Sequence, residues 1–267
     1  MYPVLFKIGK FELHTYGLTL MLSFLLAVYF SMRRAKKDGI DPNKMIDLGI
    51  VIMISSLLGA RLLYVIFHFY EFDNNILDII NPFQSDGSIG INGMSILGGV
   101  IGASIASFVY LKKQKLPVMH IFNFVAPYVA MGIGITRIGC FFHGCCFGKE
   151  CATAIGMIFP PNSPAGYVFP DTPLYPTQLF ASAGGFIIFG ILNFSGKIEF
   201  LKNKTFFLFL VLLGISRFIV DTFRYFESSI IMYQNGIQIS SNQVISMLMI
   251  VTGLFFILFL DKFKKSS

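Results

Sequence analysis

Charge is scarce in this sequence. Asp, Glu, Lys and Arg make up only 13% of its 267 residues, where a soluble domain carries roughly 25%. Hydrophobic residues reach 55% and the mean hydropathy is +0.71. That balance excludes a disordered chain, a fibrous repeat and an ordinary soluble globular domain. Cysteine is scarce as well. There are four, and all of them fall in the single window from Cys140 to Cys151. The stretch from Glu71 to Gly90 contains no Lys or Arg. No small-residue cleavage signal precedes the first basic cluster, so the first apolar segment reads as a retained span and not as a cleaved signal peptide.

What is abundant is long apolar runs, each near the 17–25 residues that cross a bilayer. Seven are expected, at about Leu13–Met32, Met45–Phe69, Gly93–Leu111, Pro117–Ile135, Gln178–Phe194, Thr205–Val220 and Val244–Leu260. The fold class expected is an all-α integral membrane protein of seven transmembrane helices. It forms one multi-span domain over 1–267, with a Gly/Pro/Cys-rich external segment at 137–177.

The net charge is +7, and fourteen of the 21 Lys and Arg residues sit in four short clusters. These are Arg33 to Lys44, Lys112 to Lys115, Lys197 to Lys204 and Lys262 to Lys265. They follow spans one, three, five and seven. Clusters of this kind mark cytoplasmic loops, which predicts an external N-terminus and a cytoplasmic C-terminus. They suit anionic lipid headgroups and argue against a nucleic-acid partner.

The remaining seven cationic residues are Lys7, Lys10, Arg61, Arg137, Lys149, Arg217 and Arg224. An arginine within a span is costly unless it is paired, snorkelling or functional. Arg217 has Asp221 one turn later, and pairing between them is one reading. The other is that Arg137 and Arg217 approach the same membrane face from different helices. Their planar forks match phosphate oxygens, and at that depth the phosphate belongs to a phospholipid. For Arg61, structural and functional readings stand level.

Span three opens on Asn92, Gly93, Met94, Ser95, Ile96, Leu97, Gly98 and Gly99, with Gly102 beyond. Small residues four apart suit close helix packing, and an opened helix start would also present N–H groups to a headgroup. In the cysteine window, one or two disulfides stapling an external loop is the plain reading. A Cys140 or Cys145 thiolate assisted by His143 is the catalytic alternative. The spacing argues against a metal site, and no cofactor is expected. His14, His68 and His120 read as interfacial or packing residues.

Together these motifs resemble the prolipoprotein diacylglyceryl transferase family. Arg137-Ile138-Gly139-Cys140-Phe141-Phe142-His143-Gly144 resembles its signature, Arg-Ile-Gly-Asn-Phe-x-Asn-Gly-Glu. Gly59-Ala60-Arg61-Leu62-Leu63-Tyr64 resembles its second-span motif, and Met94-Ser95 with Gly98-Gly99 its Met-Ser-Phe-His-Gly-Gly stretch. Tyr16-Gly17, then Pro176, Gln178 and Leu179, then Arg217, Phe218, Asp221 and Arg224 follow in the family's order. The resemblance implies transfer of the diacylglyceryl group of phosphatidylglycerol to the lipobox cysteine of a prolipoprotein, releasing glycerol phosphate without metal or cofactor. It implies catalytic roles for Arg137, Arg217 and Asp221, with His143, Cys140 and Cys145 in the reaction centre. It implies substrate contacts for Arg61, Arg137, Arg217, Arg224, Gly98, Gly99, Tyr16 and Gln178. The setting implied is the bacterial inner membrane, with the site facing the external leaflet and the protein a monomer.

The departures from the pattern concentrate in the reaction centre. Leu97 replaces the family histidine and removes any proton transfer there. Cys140 and His143 replace the two signature asparagines, Cys145 the glutamate, Tyr175 a histidine, Ala181 a later glutamate, and Asp221 a glutamate of the sixth span. A divergent transferase using a Cys/His centre on another acceptor is therefore the alternative reading. A lipid or anion transporter is the non-enzyme one, although no inverted repeat supports it.

Overall fold

A computed structural model describes residues 4–8, 11–72, 93–196, 198–201, 203–226, 231–234 and 237–265. Lys10, Lys197, Lys202 and most of the acidic stretch from Glu71 to Gly90 lie outside the described residues.

Among those described, seven helices are long and apolar enough to cross a membrane. They are α1 (Thr15–Lys37), α2 (Asn43–Phe67), α3 (Ile96–Lys113), α4 (Val118–His143), α6 (Thr177–Ser195), α7 (Thr205–Phe223) and α8 (Ser241–Lys265). A short helix, α5 (Pro164–Val168), lies between α4 and α6. The sequence reading did not foresee two antiparallel hairpins, β1 (Val4–Ile8) with β2 (Phe11–His14) and β3 (Ile231–Gln234) with β4 (Ile237–Ser240). Each leads directly into a spanning helix. Large apolar side chains stay exposed along the helices, Leu58, Leu62 and Ile66 on α2 and Leu248, Val251 and Leu258 on α8 among them. Such surfaces suit hydrocarbon and not water.

The chain divides into two compact units, 32–121 and 1–31 with 122–267. In the first, α2 and α3 pack through glycine. A Cβ on Gly59 would lie 2.5 Å from the Gly98 carbonyl oxygen, and one on Gly102 would lie 2.5 Å from that of Ser55. Only backbones without side chains approach this closely. The ends of the pair are tied by polar groups. Tyr110 Oη donates to Asp47 Oδ2 (3.3 Å) and Lys44 Nζ to Gln114 Oε1 (3.3 Å). At the turn after α1, His120 Nε2 lies 2.9 Å from Asp38 Oδ2.

In the second unit, Ala126 and Ala130 of α4 pack against Ile188 and Leu192 of α6 and Phe209 of α7. Phe207, Val211 and Ile257 join α7 to α8. Lys204 gives α7 no side-chain cap, and buried Asn123 of α4 supplies one. Its Oδ1 accepts from Phe206 N (2.8 Å), while its Nδ2 donates to the Asn203 carbonyl (2.8 Å). Near the other end of α4, Ser23 and Thr136 share a hydrogen bond of 3.0 Å, and Ser182 Oγ donates to the Gly134 carbonyl at 2.8 Å.

Helix α4 runs eight residues past the end expected for the fourth span, to His143. Arg137, Cys140 and His143 are therefore helical and do not belong to a loop. Gly139 explains the extension in part, since it lets α1 approach at Thr19. The segment that follows is folded as well. Phe159, Ala165 and Leu174 form a small core with Phe147 and Phe169, Ser163 caps α5, and Met157 pairs with Leu174.

Candidate active site

The C-terminal ends of α4 and α7 and the N-terminal end of α6 bring the polar residues of this unit together. Arg137 and Cys140 stand one turn apart on α4. Helix α4 stops at Gly144, whose φ of 79° is left-handed and is cheap only for glycine. The Gly144 N–H donates back to the Cys140 carbonyl (2.9 Å), and so does that of Cys145 (3.2 Å). The chain thus folds over the helix end. Cys146 also adopts a left-handed conformation, at φ 59°. The Sγ atoms of Cys140, Cys145 and Cys146 consequently lie within 4.8 Å of one another.

Two fully buried side chains at the start of α6 pin this turn. Thr177 Oγ1 donates to the Cys146 carbonyl and Gln178 Nε2 to that of Cys145, each at 2.8 Å. Gln178, expected to touch substrate, also braces the thiol-bearing turn. Thr177 was not singled out by the sequence reading, because hydrogen bonds to a backbone carbonyl leave no trace in a motif, and Cys146 was read there only as a disulfide candidate.

The disulfide staple is not formed, and all four cysteines are free thiols. Cys151 lies apart from the other three, its Sγ 3.0 Å from Thr153 Oγ1. Cys145 Sγ donates to the Cys140 carbonyl (3.9 Å), and the neighbouring Cys140 and Cys145 thiols, with Arg224 and Arg137, hold the Cys146 thiol below its ordinary range. Cys140 and then Cys146, together with burial, push Cys145 upward. The Cys146 thiol lies within hydrogen-bonding reach of the Arg137 guanidinium.

On α7, Asp221 is buried. Its ion-pair contact is Oδ1 to Arg224 Nη1 at 3.9 Å, three residues on, and not the Arg217 pairing expected from spacing. The reason is that the chain leaves the helix at Arg224, in extended conformation, which lets that side chain turn back. Arg217 is half-buried and acts on Asp221 through space, as does Arg137. Asp221 Oδ2, Arg224 Nε and Gln178 Oε1 are buried without a hydrogen-bond partner among the described residues. Unsatisfied buried polar atoms are rare and mark places built for a further polar group.

Beside Asp221 and Arg224 is a cavity of about 370 Å³, lined also by Lys149, Tyr225, Ser240 and Gln243. Lys149 Nζ donates to the Thr222 carbonyl (3.0 Å), and Gly148 bridges to Arg224. Lys149 was visible as an unclustered cation. The contributions of Ser240, at the end of β4, and Gln243, in the first turn of α8, had no sequence signal. Tyr16 is exposed at the start of α1, its ring centroid 6.5 Å from that of His143.

The other sequence-predicted residues lie in the α2–α3 unit. Arg61 is buried and its Nη1 donates to the Gly93 carbonyl (3.1 Å). Gly98 faces α2, and its N–H donates to the capping Ser95 Oγ (3.4 Å). A Cβ on Gly99 would lie 3.3 Å from the Ser56 carbonyl oxygen.

These features define a class, a multi-pass α-helical membrane protein with a crowded cationic site at its helix ends. A sequence model of prolipoprotein diacylglyceryl transferase matches residues 3–259. The chain is 34% identical over 266 residues to the phosphatidylglycerol–prolipoprotein diacylglyceryl transferase of Clostridium tetani, covering 99% of this chain and 100% of that one. It is 33% identical over 254 residues to the protein of that name from Aeromonas salmonicida (94% and 87% covered). A second-numbered Clostridium perfringens protein of that name is 32% identical over 223 residues (83% and 82% covered). The chain belongs to the prolipoprotein diacylglyceryl transferase family.

Proposed function

We propose that this protein transfers the diacylglyceryl group of phosphatidylglycerol to the cysteine thiol of a prolipoprotein. The observation that carries the reading is the crowding of Arg137, Arg217 and Arg224 around a single buried carboxylate, Asp221. Three guanidinium groups and one carboxylate leave an excess of positive charge, part of which a phosphodiester would offset. The acceptor sulfur attacks the glyceryl carbon, the bond from that carbon to the phosphate oxygen breaks, and glycerol phosphate leaves with the electron pair. Arg137 and Arg217 stabilise the charge developing on the leaving phosphate. Arg224, held beside Asp221, lines the cavity that takes the headgroup. His143, whose ring centroid lies 6.5 Å from that of Tyr16, is the side chain that takes the thiol proton. Arg61, Gly98 and Gly99 are the candidates from the α2–α3 unit for contact with lipid.

A second reading is favoured by one observation. Cys140 and Cys145 occupy the family's asparagine and glutamate positions and form one cluster with Cys146, so the centre differs chemically from the family pattern. In that reading the donor is the same phospholipid and the acceptor is not a lipobox cysteine. Purified protein given labelled phosphatidylglycerol and a lipobox peptide separates the two. A mass-shifted peptide with release of glycerol phosphate supports the first. Release of glycerol phosphate only when another acceptor is present supports the second, and no release with any acceptor rejects both.

The setting proposed is the bacterial cytoplasmic membrane, with a monomer whose site faces the external leaflet. The four basic clusters support that orientation. A reporter on Ser267 should be cytoplasmic and a tag within 162–173 external. A tag within 73–86 should also be external, although that stretch lies outside the described residues. Labelling that placed the 162–173 tag on the same side as Lys36 would reject this orientation.

A further inference from the structure

We propose that Cys140, Cys145 and Cys146 together form a binding site for one thiophilic d¹⁰ cation of the Zn²⁺ and Cu⁺ class. Spacing along the chain argues against a metal, because it resembles a zinc pattern only superficially and lies at the membrane edge. The fold removes that objection. Gly144 and Cys146 both take left-handed backbone conformations, which return the chain over the end of α4 and point three thiols at one place.

The dimensions suit a metal. A thiolate–metal bond of about 2.3 Å places the sulfurs of a trigonal site about 4 Å apart, and the three Sγ atoms lie within 4.8 Å of one another. An all-sulfur donor set selects soft cations and disfavours Mg²⁺ or Ca²⁺.

The support around the thiols is built. Thr177 and Gln178 are each 1% exposed, and they hold the carbonyls of Cys146 and Cys145 by bonds of 2.8 Å. Gln178 Oε1 is buried with no partner among the described residues. On binding, each thiol loses its proton to solvent and forms one sulfur–metal bond. Three thiolates on a divalent cation leave one negative charge and on a monovalent cation two, and Arg137 and Arg224 are placed to compensate it.

One consequence rests on the lipid-transfer reading. Metal–thiolate charge engaging Arg137 withdraws that arginine from phosphate, so metal and phospholipid should oppose each other.

Titration of the purified, reduced protein in detergent with Cd²⁺ as the probe tests the site without reference to lipid. One equivalent should bind, with ultraviolet sulfur-to-metal charge-transfer absorption and a raised Tm. Cys145→Ser and Cys146→Ser, at half-buried positions, should each weaken binding by more than the roughly 10–100-fold that loss of a supporting partner costs. Thr177→Val should weaken it within that range, and Cys151→Ser should leave it unchanged. Binding that survives both Cys145→Ser and Cys146→Ser, or that is lost in Cys151→Ser, would overturn the proposal. So would a freshly reduced wild type that gives no charge-transfer band. In the transfer assay, Cd²⁺ should inhibit wild type and spare Cys146→Ser in whatever activity that variant retains. If the metal binds as expected and the protein transfers no lipid, the functional reading fails and the metal site stands.

Discussion

The α2–α3 pair and the polar end of α4 and α7 both place arginine in an apolar chain, and they treat it differently. Arg61 is buried between paired helices and spends a donor on the Gly93 carbonyl at 3.1 Å. Its surroundings are a glycine seam, where Gly59, Gly98 and Gly102 bring two backbones together. Arg137, Arg217 and Arg224 are half-buried, lie close enough to repel one another, and share the carboxylate of Asp221. The first arrangement gives a buried charge a backbone partner. The second accumulates charge of one sign, at a cost in folding energy, where an anion can repay it. An arginine in a span thus points to function when several remain under-compensated, and its depth alone does not decide.

The largest effect that would break this contrast is on turnover. Arg137→Ala and Arg217→Ala should each lower the rate of lipid transfer by roughly 10²–10³-fold, about 2.7–4 kcal/mol, with the folded yield retained. Lysine at either position should restore only part of the rate, because it lacks the planar fork. Arg61→Ala should do the opposite, lowering the Tm and the folded yield through loss of a charged hydrogen bond of about 1.5–3 kcal/mol. A stable Arg61→Ala protein with a transfer rate like that of Arg137→Ala would erase the distinction.

The glycine seam gives the next effect. Gly59→Ala or Gly102→Ala introduces a Cβ 2.5 Å from a carbonyl oxygen of the facing helix. Overpacking of this kind costs about 1–3 kcal/mol, measurable as a fall in thermal stability. Gly17→Ala meets nothing within 4 Å and serves as the control. The smallest effect is expected at Asp221→Asn. The amide keeps the shape beside Arg224 and removes one negative charge, so phospholipid binding should be held or tightened and the rate should fall by less than about tenfold. A loss as large as that of Arg137→Ala would make Asp221 a participant in the chemistry and not a neighbour of Arg224.

The spans were legible because membrane insertion is decided window by window. Val244–Leu260 reads as a span from its own composition, and the helix found there begins three residues earlier, at Ser241. The end of α4 was not legible in this way. Polar and small residues from Arg137 onward lower the local hydropathy, so the run was expected to stop near Ile135. Packing of Gly139 against Thr19 and of Gly134 against Gly185 carries the helix on to His143. The hairpins escaped notice for a related reason, since each is only two short strands and carries little periodic signal.

By itself, the sequence determined the membrane class, the seven spans, the short set of unclustered cations and the family, because each depends on local composition or on motif order. Tertiary structure alone decided which of those residues meet. It set Arg224 in the ion-pair contact with Asp221 and left Arg217 acting on that carboxylate through space, made Gln178 a brace of the cysteine turn, and left Cys151 out while it gathered Cys140, Cys145 and Cys146. These outcomes depend on two left-handed residues and on hydrogen bonds from α6 to backbone carbonyls more than thirty residues away. A hydrophobic window reports the free energy of one segment in lipid, whereas a site is a set of distances between segments, fixed only when the helices pack.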